Sequence, residues 1–251
     1  MIAQLVGLGF ALIGILALAV YSISQGRMRA QKLDAVPAFR AFSNEVGRVA
    51  EEGAAIHAAL GSGDFLGEQG LVGIAALQGL TNLMDLAAAY DTPPFITAGD
   101  PTLYLVADNQ LKDAYARLDN VRNYRPGFVR YIPASPVLYA AMAATLIFDE
   151  SVGTHLNLGS FGAEASLLTD AALRNNTKVL GGTVSAEGIA AMASAVEPDA
   201  LIMGEKLFAG GAEVVGRPVF WASLRAEDLL RWLVIAGIVL AAIASLLGIG
   251  V

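Results

Sequence analysis

No Asp, Glu, Lys or Arg interrupts the chain between Ile2 and Ile23, nor between Trp232 and Val251. Each run supplies roughly the 20 apolar residues that a helix needs to cross a bilayer. The pattern predicts a transmembrane helix at each end, over 1–24 and within a juxtamembrane and membrane segment at 226–251. The first run is too long for a signal peptide's apolar core and lacks a basic stretch before it, so it reads as a retained helix. Small residues four apart, Gly7 and Ala11 in the first run and Gly237, Ala241 and Ser245 in the second, offer faces for close helix packing in lipid.

Between these ends, over 25–225, the pattern changes to short β-rich apolar runs alternating with longer amphipathic ones, with Gly or Pro at the joins. Strands are predicted at Ala55–Leu60, Phe95–Ala98, Phe128–Ile132, Thr154–Leu158, Lys178–Leu180 and Ala200–Met203, with a further one at Pro218–Ala222. Helices are predicted at Pro37–Glu52, Glu68–Tyr90, Pro101–Leu118, Pro136–Asp149, Ala163–Arg174 and Ala186–Ala195. Asp100 before Pro101 and Ser135 before Pro136 each place a capping oxygen ahead of a ring that pre-sets the first helical φ. Ser223 followed by Glu227 and Asp228 marks a helix continuing through Arg231 toward the bilayer. The fold class expected is α/β: a mostly parallel sheet with helices on both faces, flanked by two transmembrane helices.

Charge then orients the chain. Arg27, Arg29 and Lys32 follow the first apolar run and Arg225 and Arg231 precede the second, so both basic flanks belong to the intervening segment. Basic flanks stay on the cytoplasmic side, which places both termini outside and the α/β domain in the cytoplasm. Composition agrees with burial in lipid: 55% of residues are hydrophobic and 16% charged, against about a quarter charged in ordinary globular chains. Sixteen Lys and Arg against 23 Asp and Glu leave a net charge of −7, which argues against nucleic acid as a partner. Zero Cys removes disulfide, thiolate and Cys-based zinc chemistry.

Candidate chemistry gathers at three glycine-rich joins. Gly61-Ser62-Gly63-Asp64-Phe65-Leu66-Gly67 follows one strand and precedes a helix, the context in which glycines admit a phosphate to a helix N-terminus. Its spacing differs from the dinucleotide fingerprint, and Asp64 and Glu68 put negative charge where a pyrophosphate would lie. Asp100 ends the next strand, where it serves as a ribose-binding acid or simply as a cap. Gly159-Ser160-Phe161-Gly162-Ala163-Glu164 and Gly181-Gly182-Thr183-Val184-Ser185-Ala186-Glu187 repeat the theme, so that Ser160, Glu164, Thr183 and Glu187 could surround one crevice. Capping and helix-dipole roles account for the same residues. Ser160 lacks the surroundings of a hydrolase nucleophile. His57 and His155, the two imidazoles, could meet in neighbouring strands but have no acidic ligand motif beside them. No catalytic set and no metal site is assigned, and the cofactor is unknown.

The segment Gly204-Glu205-Lys206-Leu207-Phe208-Ala209-Gly210-Gly211-Ala212, with the His57-to-Gly61 spacing and the two apolar ends, resembles an uncharacterised family of bacterial membrane proteins with a helix at each end and a Rossmann-like middle. The resemblance implies Gly204, Glu205, Leu207, Phe208, Ala209 and Gly211 as family positions, while Lys206 and Gly210 depart from it. It assigns none of them a catalytic role.

Three functions compete. One is a structural or assembly protein of the bacterial cytoplasmic membrane, self-associating as a homo-oligomer or docking onto a larger membrane complex. The second is a membrane-tethered sensory module that binds a nucleotide or other anion in the glycine-loop crevice. The third, an enzyme acting on a lipid-soluble substrate with Glu164, Glu187 or a histidine as base, has the least behind it.

Overall fold

Short runs of β-branched and small apolar residues form six strands: β1 (Ala55–Gly61), β2 (Pro94–Ala98), β3 (Val129–Tyr131), β4 (Val152–Ser160), β5 (Lys178–Thr183) and β6 (Leu201–Met203). They make one all-parallel sheet in the order β3-β2-β1-β4-β5-β6. All seven residues of β1 are buried, the mark of a strand covered on both faces, which explains why it reads as continuous rather than alternating apolar sequence. The computed structural model describes residues 12–21, 37–67, 69–90, 92, 94–215 and 218–246. These fall into two compact units, Asp34–Val215 and the two ends of the chain.

In the central unit the helices are α2 (Pro37–Glu52), α3 (Gly70–Tyr90), α4 (Pro101–Arg117), α5 (Pro136–Asp149), α6 (Ala165–Arg174), α7 (Ala186–Ala193) and α8 (Lys206–Val215). Right-handed crossovers in this strand order place α3 and α4 on one face of the sheet and α5, α6 and α7 on the other. Helix α2 packs on α3, as does α8. Helix α3 is long and apolar enough to cross a bilayer, yet 61% of its apolar stretch is buried inside the domain. Leu80, Met84 and Ala88 on it are fully enclosed, so it is the helix on which this side of the core is built.

Helix α2 is held to the amino edge of the sheet by charge. Glu45 Oε1 accepts from Lys178 Nζ at 2.7 Å, and Glu45 Oε2 accepts from Arg48 Nε at 2.8 Å and Thr154 Oγ1 at 3.1 Å. Arg48 also donates to Gly153 O and to Thr154 Oγ1. Burial alone would raise the Glu45 pKa, but the hydrogen bonds and charges of Lys178 and Arg48 outweigh it and hold the carboxyl below its ordinary value.

The terminal unit contains α1 (Leu12–Tyr21) and α9 (Pro218–Leu246). At 29 residues, α9 is about 43 Å long. A methyl group placed on Gly14 would lie 3.3 Å from Leu230 Cδ1, so the two helices touch where α1 has no side chain. Gly14, Ala17 and Tyr21 are partly shielded, whereas Ile15, Leu16 and Val20 on α1 and Trp232, Ile238 and Val239 on α9 are exposed.

Most predicted elements of the described residues appear where the apolar pattern puts them, with two instructive differences. Pro218–Ala222 opens α9 rather than forming a strand, since Pro at the first turn of a helix forgoes only an amide that has no partner there. Strands β4 and β5 run on through Ser160 and Thr183, so Gly159, Gly181 and Gly182 lie inside strands and not in loops. The first predicted membrane segment is described only over 12–21, and its Gly7 and Ala11 lie outside the described residues, as do the side chains of Ala241 and Ser245. Among the described residues, and apart from the backbone of its own helix, no atom lies within 4 Å of the position a Cβ on Gly237 would take.

Candidate functional site

The chain order reverses between β1 and β4, and at this switch point the carboxyl ends of an open parallel sheet leave room for a ligand. A crevice of about 330 Å³ opens there, lined by residues from the ends of β1, β4 and β5 and the starts of α3, α5, α6 and α7. Of the residues singled out in the sequence, Ser62, Gly63, Ser160, Glu164, Thr183 and Glu187 meet in it. Gly61, Gly67 and Asp100 do not line it.

Each of these three has another task. Asp100 Oδ1 accepts from the amides of Thr102 and Leu103 at 2.8 and 2.9 Å, and its Oδ2 accepts from Phe65 N at 3.2 Å. It caps α4 and pins the preceding loop, leaving no free oxygen directed at a ribose. Gly67 N donates to Asp64 O in a turn. Gly61 has φ +83°, and a Cβ there would sit 2.1 Å from Ser160 O. Glycine is required because β1 and β4 converge backbone to backbone.

The same convergence accounts for Gly159 and Gly63. The pairing steps from Ala59 with Asn157 to Gly61 with Ser160, so β4 carries one extra residue, a β-bulge. Gly159 has φ +149°, and its missing Cβ makes room for Leu60 O. A Cβ on Gly63 would come 2.6 Å from both Ser160 Oγ and Gln69 Oε1. Ser160 Oγ donates to Gln69 Oε1 at 2.5 Å, closing the first glycine loop onto β4. The glycines thus seat protein atoms, and space for a ligand begins beyond them.

The chemistry facing that space is acidic and hydroxylated. Asp64, Glu164 and Glu187 line the crevice together with Ser62, Ser160, Thr183 and Ser185, and no Lys, Arg or His is among the lining residues. Glu164 Oε1 accepts from Gly162 N at 2.8 Å. Oxygens of Glu164 and Glu187 lie 2.9 and 3.5 Å from the place of a Cβ on Gly162, so two carboxylates converge over that glycine. Ser185 Oγ caps α7 through Gly188 N at 3.0 Å. This lining suits a ligand that donates hydrogen bonds or carries positive charge better than a bare phosphate. Among the described residues no cluster of three His, Asp or Glu could hold a metal ion.

Behind the crevice runs a buried polar row that the sequence only hinted at. His57 and His155 are in register on β1 and β4, and their Nδ1 atoms lie 3.0 Å apart. His155 Nε2 donates to Asn157 Oδ1 at 2.8 Å, which leaves His155 Nδ1 to accept from His57 Nδ1. His57 Nε2 then accepts from Thr97 Oγ1 at 3.1 Å. Tyr139, from α5, contacts Thr97 Oγ1 at 2.9 Å and donates to Thr97 O at 3.0 Å, while its oxygen accepts from Gly61 N. All five side chains are inaccessible to solvent. Burial lowers both imidazole pKa values, with the adjacent ring and the Arg130 charge adding to the effect on His57. Burial likewise pushes the Tyr139 hydroxyl up to about 12 against the pull of its hydrogen bonds. The rings are neutral, share one proton and make no contact with the crevice. Their role is to join β1, β2, β4 and α5.

Sequence reasoning overlooked Gln69, which clasps Ser160, and the outward side of α5. The signal for the latter is plain: no charged residue occurs from Ile132 to Phe148. A family model described as Domain of unknown function (DUF6754) matches residues 3–251. No curated protein and no solved structure matches the chain. An uncharacterised family and a parallel α/β middle are the part of the resemblance that these findings share.

Proposed function

The chain belongs to the DUF6754 family, and from that premise we propose that it is a membrane-anchored structural or assembly protein of the bacterial cytoplasmic membrane. Its terminal helices span the bilayer with both termini outside, and its α/β domain lies in the cytoplasm, docking onto a membrane complex or onto copies of itself. The observation that supports this most is the pairing of α1 with α9 at Gly14 and Leu230 within a unit whose outer side chains are exposed and apolar. Water penalises such a surface and hydrocarbon does not. The close approach at a glycine is how helices associate where the surrounding lipid removes any hydrophobic drive. The test is alkaline extraction and protease accessibility of the full chain in sealed vesicles. Retention in the bilayer with the α/β domain digested only from the cytoplasmic side is expected, whereas release into the wash overturns the reading.

The switch-point crevice favours a second reading, a membrane-tethered sensory domain. Its converging Glu164 and Glu187, its hydroxyls and its volume suit a small hydroxylated or cationic ligand, and a nucleotide would have to enter by its sugar or base edge. Thermal-shift screening of the full chain in mild detergent decides it: stabilisation by amines or polyols that Glu187→Gln abolishes supports the reading, and a flat response removes it.

A further inference from the structure

The switch-point crevice offers single oxygens from two different helices. Glu164 commits Oε1 to Gly162 N at 2.8 Å, which leaves Oε2, 2.9 Å from the place of a Cβ on Gly162. Glu187 Oε2 lies 3.5 Å from the same place, so one nitrogen beside it reaches both. Thr183 gives an independent sign of a ligand. Its side chain is closed to solvent yet lines the crevice. Its methyl lies 2.8 Å from the place of a Cβ on Gly188 and so is turned to α7, which leaves the hydroxyl to the crevice. That hydroxyl has one contact among the described residues, Phe161 O at 3.5 Å, beyond the roughly 3.0 Å limit of a hydroxyl-to-oxygen bond. A wholly buried hydroxyl without a close partner is rare in a folded chain.

We propose that the crevice binds a small, free primary alkylamine, its ammonium shared between Glu164 and Glu187 with the Thr183 hydroxyl as a further acceptor. The proposal rests on the sensory reading and names the ligand class. The arrangement of acceptors selects among donors. An ammonium is a point charge whose three N–H groups diverge from one atom, and oxygens arriving separately from two helices and a strand are its match. A guanidinium fork is matched by both oxygens of one carboxylate and would leave Glu164, with one oxygen free, unmet. A polyol brings no charge to set against two carboxylates. Pro136, Phe161 and Val184 complete the lining and suit a hydrocarbon body rather than a second charge. At about 330 Å³ the crevice is near the lower end of ligand sites, which favours a free small molecule over a protein segment.

Calorimetric titration of the full chain in mild detergent tests this, with n-butylammonium as the probe. Beside it run n-butanol, n-butyltrimethylammonium, n-butylguanidinium, ribose and an Nα-acetyl-lysine amide. n-Butylammonium is expected to bind at one site per chain, roughly tenfold or more tighter than any of the others. Glu164→Gln and Glu187→Gln should each weaken it about tenfold, and Thr183→Val about threefold. Asp170→Asn, at an exposed carboxylate outside the crevice, should leave it unchanged, and the melting transition of each variant checks that it folds. Equal binding of n-butanol overturns the proposal, because the crevice would then be an apolar slot. Equal binding of n-butyltrimethylammonium does so too, because diffuse negative charge would then suffice without any N–H. Unchanged affinity in both Gln variants has the same force, and tighter binding of the lysine amide would make the occupant a side chain of another protein. Ribose or n-butylguanidinium binding that Glu187→Gln abolishes, with n-butylammonium inert, overturns the amine and keeps the sensory reading. Silence from every probe removes both.

Discussion

The two edges of the sheet handle charge in opposite ways. At the amino edge the Glu45 carboxylate, 9% exposed, is matched by Lys178 and Arg48 and by the Thr154 hydroxyl. At the carboxyl edge Glu164 and Glu187 converge over Gly162 with no cation among the residues around them. One edge uses charge to fasten a helix, and the other gathers carboxylates that no cation among the crevice's lining residues answers. That contrast separates structural polarity from available polarity more reliably than residue type, since both edges are built from Glu, Thr and Gly.

The largest effect is expected where the carboxyl edge is itself structural. Gly61→Ala puts a methyl against Ser160 O at a backbone conformation that side chains rarely adopt. A loss of more than about 4 kcal/mol follows, which is most of the stability of a domain. Thermal unfolding of the full chain in mild detergent checks it. A normal transition would mean that β1 and β4 can separate at the bulge and that the crevice is adjustable.

Acid should dismantle the two regions in separate pH windows. His57 and His155 have lowered folded pKa values, about 4 for His155, against about 6.5 in an unfolded chain. Their contribution is complete above pH 6.5 and is lost as pH falls from there toward 4, by roughly 3 kcal/mol for His155 alone. Glu45 also has a pKa below the 4.5 of an ordinary glutamate side chain, so its contribution fades only below that. Denaturant midpoints measured from pH 7 to 3.5 should fall in two stages, and Glu45→Ala should remove the lower one alone. A single drop below pH 4.5 would show that the histidine row is open to water.

At neutral pH, Glu45→Ala should cost about 2 kcal/mol. This is less than the 3–5 of a fully buried pair, because Arg48 and Lys178 recover hydration when the carboxylate is gone. The same denaturant midpoints measure it, and a cost below about 0.5 would mean that α2 is fastened by packing alone.

How far the sequence anticipated these regions follows from local rules. Asp100-Pro101 was legible because a cap and a fixed φ are neighbours in sequence, and the structure gives Asp100 two amides to accept. Strands β1 and β2 were legible because burial on both faces leaves apolar runs broken only by His57 and Thr97. Gly159, Gly181 and Gly182 were not, since what they avoid is distant in sequence. Gly182 makes room for Leu158 and Ile202, and Gly181 for Met192. A glycine that admits a neighbouring strand or helix is spelled the same as one that admits a phosphate. Pro218-Val219-Phe220-Trp221 read as a strand because bulky apolar residues favour one, until the first-turn proline and the length of the apolar run decided for a helix. The outer half of α5 escaped notice because a helix uncharged up to its last residue looks like core, and only exposure distinguishes that half.

The smallest effect sharpens the contrast most. Glu187→Gln and Glu164→Gln remove charge where no cation answers it, so each should shift stability by no more than about 0.5 kcal/mol, and the double variant should be neutral or slightly stabilising as the two carboxylates no longer repel. Glu164→Gln retains an oxygen to accept from Gly162 N, so the loop geometry survives. Melting temperatures of the three variants beside Glu45→Gln test this at equal chemistry, Glu for Gln at both edges. A loss at the amino edge with none at the carboxyl edge means that the crevice carboxylates are spare acceptors, available for a ligand. Equal losses at both would mean that Glu164 and Glu187 complement the first turns of α6 and α7 strongly enough to be structural, and the crevice would then be a seam between helices.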